Sequence, residues 1–108
     1  MAKLDLLEHQ RQIYQGSPCR ITLLQKIDNF LKDISLPSRI RILLLQAEED
    51  TIPDGPARVI IDTVSRIAVS DGTEEHETLQ VIGERNHRNL QLDPIYGEWV
   101  VVSLEILN

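Results

Sequence analysis

Apolar residues along this chain of 108 residues recur mostly in steps of three and four. Leu4, Leu7 and Tyr14 open the pattern. Ile21, Leu24, Ile27, Phe30, Leu31 and Ile34 continue it, then Ile40, Leu43, Leu44 and Ala47, then Ile60, Val64, Ile67 and Ala68. Leu79, Ile82 and Leu90 form a sparser run, broken by the polar stretch from Gly83 to Asn89. Such spacing places one apolar stripe on one face of a helix. The punctuation between the runs agrees with that reading. Gly16-Ser17-Pro18, Ser35-Leu36-Pro37, Asp54-Gly55-Pro56, Asp71-Gly72-Thr73 and Asp93-Pro94 all combine residues that close one helix and cap the next. The pattern predicts an all-α fold, a small bundle of about five or six amphipathic helices in a single domain over residues 1–108.

Two segments test this expectation. Residues 57–69 are rich in β-branched side chains, which suits a strand. A strand, however, would put Asp62 and Arg66 on the same face as Ile60 and Val64, whereas a helix separates them, so a helix is expected. Residues 99–107 fit both forms. Val100, Val102, Leu104 and Ile106 alternate with Trp99, Val101, Ser103 and Glu105, as in a strand; Ile95, Trp99, Val102 and Ile106 would form a helical stripe.

Charge adds a second layer. The net charge is −6. Nine acids fall between Glu48 and Glu77 (Glu48, Glu49, Asp50, Asp54, Asp62, Asp71, Glu74, Glu75 and Glu77) against Arg58 and Arg66. A protein that grips nucleic-acid phosphates needs a basic face, so direct nucleic-acid binding is not expected. The belt suits a cationic protein partner or a divalent cation.

Catalytic signatures are missing. The five glycines never cluster into a phosphate loop, and no His-Glu-x-x-His motif occurs. Cys19, the single cysteine, excludes an internal disulfide and a cysteine zinc site, and is read as a small apolar residue in a reducing compartment. His9, His76 and His87 read as solvated helix positions. Asp50 to Gly55 has acids at the first and fifth places of a calcium loop, yet Ile52 and Ile61 occupy two ligand positions, so no such loop is expected. The start MAKLDLLEHQ carries charge without an apolar run, and no apolar run elsewhere would cross a bilayer. A cytoplasmic protein without membrane contact is expected.

From Val64 to Asp93, the sequence Val-Ser-Arg-Ile-Ala-Val-Ser-Asp-Gly-Thr-Glu-Glu-His-Glu-Thr-Leu, followed by Val81-Ile82 and Asn89-Leu-Gln-Leu-Asp-Pro94, resembles the core helix pair of the tellurite-resistance TerB-like family. Asp71, Gly72 and Glu77 match that family's loop and helix start, and Leu90 and Leu92 fit its closing pair. Ser70 and Glu74 depart from the pattern, standing where the family has alanine and an apolar residue. The resemblance implies a helical bundle with a divalent-metal-linked surface, Asp71, Glu75 and Glu77 as ligands, and a role in stress response or protein assembly.

The expected function is therefore non-enzymatic: an acidic interaction module that docks a protein partner or self-associates. Glu48, Glu49, Asp50, Tyr96 and Trp99 are its candidate contact residues, and no cofactor is required beyond an optional divalent cation. The alternatives are the metal-responsive stress domain and an acidic mimic that occupies a basic protein's nucleic-acid site.

Overall fold

The computed structural model describes residues 3–8, 20–47, 55–69, 78–92 and 96–107, with the backbone alone for residues 20–24. Its elements, in chain order, are β1 (Lys3–Asp5), α1 (Arg20–Lys32), β2 (Ser38–Gln46), β3 (Ala57–Val69), β4 (Thr78–Gly83), β5 (His87–Gln91) and β6 (Trp99–Ile106). The all-α expectation is overturned: the chain is mainly β. Its strands form one sheet in the order β1-β6-β2-β3-β4-β5, antiparallel between neighbours. The sheet curls until β5 meets β6 again through the parallel bridge Gln91↔Val100. Strands β2 to β6 thus close a small barrel, and β1 lies on β6 beyond it.

Residues 38–44 explain why β2 is not a helix. Ser38, Ile40, Ile42 and Leu44 are buried while Arg39 and Arg41 are exposed, a strict period of two. The leucines that follow allow a helical stripe to be drawn through the same run, but only the strand puts both arginines in water.

Strand β3 removes the two objections to an extended 57–69. Asp62 does face inward with Ile60 and Val64, and it is buried at 6% exposure. It is tolerated there because hydrogen bonds saturate its carboxylate, as described below. Arg66 escapes to the outside because the ladder to β4 shifts between Val64 and Arg66. The extra residue in that bulge, Ser65, reverses the alternation, so Ile67 points inward and Arg66 outward. A second irregularity, opposite Leu43 and Leu44, gives β6 the extra residue Val102, which lets Val100 through Leu104 all be buried. The Val102 carbonyl is satisfied by the Leu6 amide at 2.9 Å.

Segment 99–107 is thus a strand, and its partner edges are β2 and β1. A helix is found where the stripe from Ile21 to Ile34 is expected, in α1, although it ends at Lys32 and Ile34 follows it. It buries Ile27 and Phe30 and lies against β1, with Leu31 and Ile34 half-buried. The break at Ser35-Leu36-Pro37 falls between α1 and β2, where the Leu36–Pro37 peptide is cis. Ile40, Ile42, Leu44, Val64, Leu79, Val81 and Leu104 line the barrel interior. The TerB-like resemblance does not hold, because its helix pair is replaced by β3, β4 and β5. Leu90 and Leu92 are buried as barrel core instead of closing a helix.

Candidate binding surface at the barrel mouth

Midway along β3, Asp62 holds the β4–β5 turn in place. Its Oδ2 accepts from the Arg85 amide at 2.9 Å, the Asn86 amide at 2.9 Å and the Asn86 side-chain Nδ2 at 3.0 Å. Its Oδ1 accepts from the Thr63 amide at 2.8 Å. The Glu84 amide donates to the Thr63 carbonyl at 3.0 Å, and the Gly83 amide closes the turn on the Asn86 carbonyl at 2.8 Å. Burial pushes the Asp62 pKa up. The donors from Arg85, Asn86 and Thr63 outweigh it and hold the carboxyl below its ordinary value. This arrangement is structural, and it fixes where β5 runs.

A concavity of about 170 Å³ opens at the barrel mouth. Leu44, Ile60 and Leu90, inward residues of β2, β3 and β5, form its apolar floor. Arg58, Arg88 and Trp99 stand around it. The Arg58 guanidinium lies over the Trp99 ring, 4.4 Å from its centroid. Stacking occupies the face of the guanidinium and leaves its N–H donors free in the plane. Arg88 is oriented by a 3.2 Å hydrogen bond from its Nε to Oδ1 of Asn86, which leaves its two terminal nitrogens available. Neither arginine has a carboxylate partner among the described residues. Gln91 also lines the mouth, and its buried Oε1 has no hydrogen-bond partner among the described residues.

Trp99 is delivered to this place by backbone bonds. The Ala47 amide donates to the Glu98 carbonyl and the Gly97 amide to the Ala47 carbonyl, both at 2.9 Å. Gly97 has φ of +81°, in the left-handed region where glycine carries little penalty, and so turns the chain into β6.

Beside the mouth runs the outer edge of β5. Gly83 and Asn86 face each other across the turn, and antiparallel pairs alternate between bonded and non-bonded. Arg88 and Leu90 are therefore the residues bonded to β4. The amides and carbonyls of His87 and Asn89 point the other way. Among the described residues no strand pairs with that edge beyond Gln91↔Val100.

The outer face of the barrel is mostly polar and includes the cross-strand ion pair of Arg41 and Glu105. Val59 and Ile61 are apolar exceptions, at 50% and 43% exposure.

Of the residues predicted to make contacts, Trp99 is in the mouth, and Tyr96 is exposed at 68% outside it. Glu48, Glu49 and Asp50 lie outside the described residues, as do the proposed metal ligands Asp71, Glu75 and Glu77 and the residues Cys19, His9 and His76. Among the described residues, no three His, Cys, Asp or Glu side chains form a metal-binding group. Of the nine acids in the central belt only Asp62 is described, and it is turned inward. Within the segment 99–107, Val100, Val101, Val102, Leu104 and Ile106 are covered by this chain itself.

Arg58, Arg88, Gln91 and the edge of β5 were not anticipated. The sequence offers little local signal for them: Leu79 and Val81 alternate with Thr78 and Gln80 before the turn, but Asn86 to Asn89 after it are all polar, so no alternation marks β5 as a strand.

No protein-family model, no curated protein and no solved structure matches this chain. No helix among the described residues is long and apolar enough to cross a membrane.

Proposed function

We propose that this chain is a non-catalytic interaction module that takes an extended segment of a protein partner onto the outer edge of β5, beside the barrel mouth. The observation that carries this reading is the closure of the barrel by the one bridge Gln91↔Val100, which leaves the backbone groups of His87 and Asn89 without a strand partner among the described residues. An unpaired edge is a ready template for a further strand, and main-chain hydrogen bonds would supply the affinity while the adjoining mouth selects a side chain. A second copy of the chain fits less well. Pairing β5 with another β5 would bring Arg88 and His87 of both copies together with no acid in either strand. The reading places the module in the cytoplasm, in keeping with its single cysteine.

The test uses a library of random twelve-residue peptides displayed on phage and selected on the intact chain. Asn89→Pro deletes an N–H that points away from β4, so the barrel is expected to keep its melting temperature within a few degrees. Selected peptides should lose at least tenfold in affinity for this variant. In hydrogen exchange, the His87 and Asn89 amides should slow when peptide binds. Peptides that bind Asn89→Pro as well as the parent chain, or that leave both amides unprotected, would remove the strand-addition reading.

A further inference from the structure

The barrel mouth constrains the chemistry of what the module accepts. We infer that it is a receptor for an acidic side chain, Asp or Glu, carried by an extended peptide on the β5 edge. This inference rests on the strand-addition reading and adds the identity of the recognised group.

Three features of the mouth lead to it. First, Arg58 and Arg88 line the same small concavity without a carboxylate partner among the described residues, and both have in-plane donors to spare. Planar forks of this kind suit a planar carboxylate. Second, the buried Oε1 of Gln91 calls for a donor. A fully ionised anion such as sulfate brings none, whereas a peptide residue brings its carboxylate and backbone N–H groups together. Third, Glu98 also lines the mouth and would repel a phosphate dianion more than a monoanionic carboxylate. The volume of about 170 Å³ accommodates one side chain.

Placement supports the same conclusion. Arg88 and Leu90 point inward from β5, so alternate residues of a strand added beside β5 would face the mouth. The charge of β5 then acts twice. Arg88 rejects a second basic strand and attracts an acidic one.

The experiment takes peptides from the same selection, synthesised with amidated C-termini so that side-chain carboxylates are the acidic groups tested. The expected result is an Asp or Glu at one shared position. Its replacement by Asn or Gln should weaken binding at least tenfold, measured by fluorescence anisotropy. Arg88→Gln should weaken the acidic peptide by a similar factor and leave the neutral peptide within twofold, because the two changes remove the same contact. Arg58→Gln serves as the second protein variant. The peptide replacement needs no change in the protein, so the outcome does not hang on either variant folding.

Peptides that tolerate the neutral replacement within twofold, yet lose affinity for Asn89→Pro, would overturn the acidic receptor and leave strand addition standing. Selected peptides that bind in the amidated form without any shared Asp or Glu would also overturn it. If no peptide distinguishes the parent chain from Asn89→Pro, both readings fall.

Discussion

Gly83→Ala is expected to lower the melting temperature by about 20 °C, through a loss of about 3–4 kcal/mol for a domain of this size. Gly83 is an extended residue at the end of β4, and it is glycine for reasons of space. A Cβ there would lie 2.8 Å from Cγ of Asp62 and 3.0 Å from the carbonyl oxygen of Thr63. Neither neighbour gives way easily. The carbonyl belongs to β3 and already accepts from Glu84, and the carboxylate is held by four donors. Overpacking of this kind costs about 1–3 kcal/mol by itself, and a displaced carboxylate would strand turn amides at about 1–3 kcal/mol more. Thermal unfolding followed by circular dichroism would measure the loss. Because the contact is shared, the change should cost markedly less in an Asp62→Ala background than in the parent chain. Equal costs in the two backgrounds would show that Asp62 is not what the methyl meets.

Asp62→Asn is expected to cost about 2–3 kcal/mol at neutral pH. The amide keeps the shape of the side chain but loses the charge that strengthens each bond from Arg85, Asn86 and Thr63. The effect has a defined pH dependence. The folded-state pKa of Asp62 is below its ordinary value of 3.8. Its charge therefore contributes stability that is fully present above about pH 4–5 and is lost as pH falls through the folded-state value. Urea midpoints of the parent and Asp62→Asn chains should be separated by a constant gap from pH 8 to pH 5. Below pH 4 the gap should shrink as the parent loses its advantage. A gap that persists unchanged to the most acidic pH at which the parent still folds would mean that the charge contributes nothing.

These two residues show how far the sequence could be read. Asp62 counted against a strand because a carboxylate on an apolar face is costly, and that rule is sound. Its exception depends on Arg85 and Asn86, more than twenty positions away, arriving in a turn that points at it. The Arg66 objection failed for a different reason, since a one-residue bulge reverses alternation and leaves no mark in composition. The Ile40–Ala47 run had both periods in it. Arg39 and Arg41 on alternate positions favoured the strand, while the following leucines allowed a helix to be drawn.

The mouth was less legible still. Trp99 stood out as a lone indole, but Arg58 lies forty-one positions earlier and Arg88 eleven. Nothing local links them. Only the curl of the sheet, which returns β5 to β6, places the two arginines around one concavity with the indole.

What the sequence determined by itself is what short-range physics sets. The helix at 20–32 follows from its apolar stripe, the break at Pro37 from the proline, and the absence of a disulfide within these 108 residues from the single cysteine. The tertiary structure decided the rest. A strand is stable only through partners distant in the chain, so which residues face inward, how Asp62 is satisfied and which arginines meet Trp99 all wait on pairings that no local window contains.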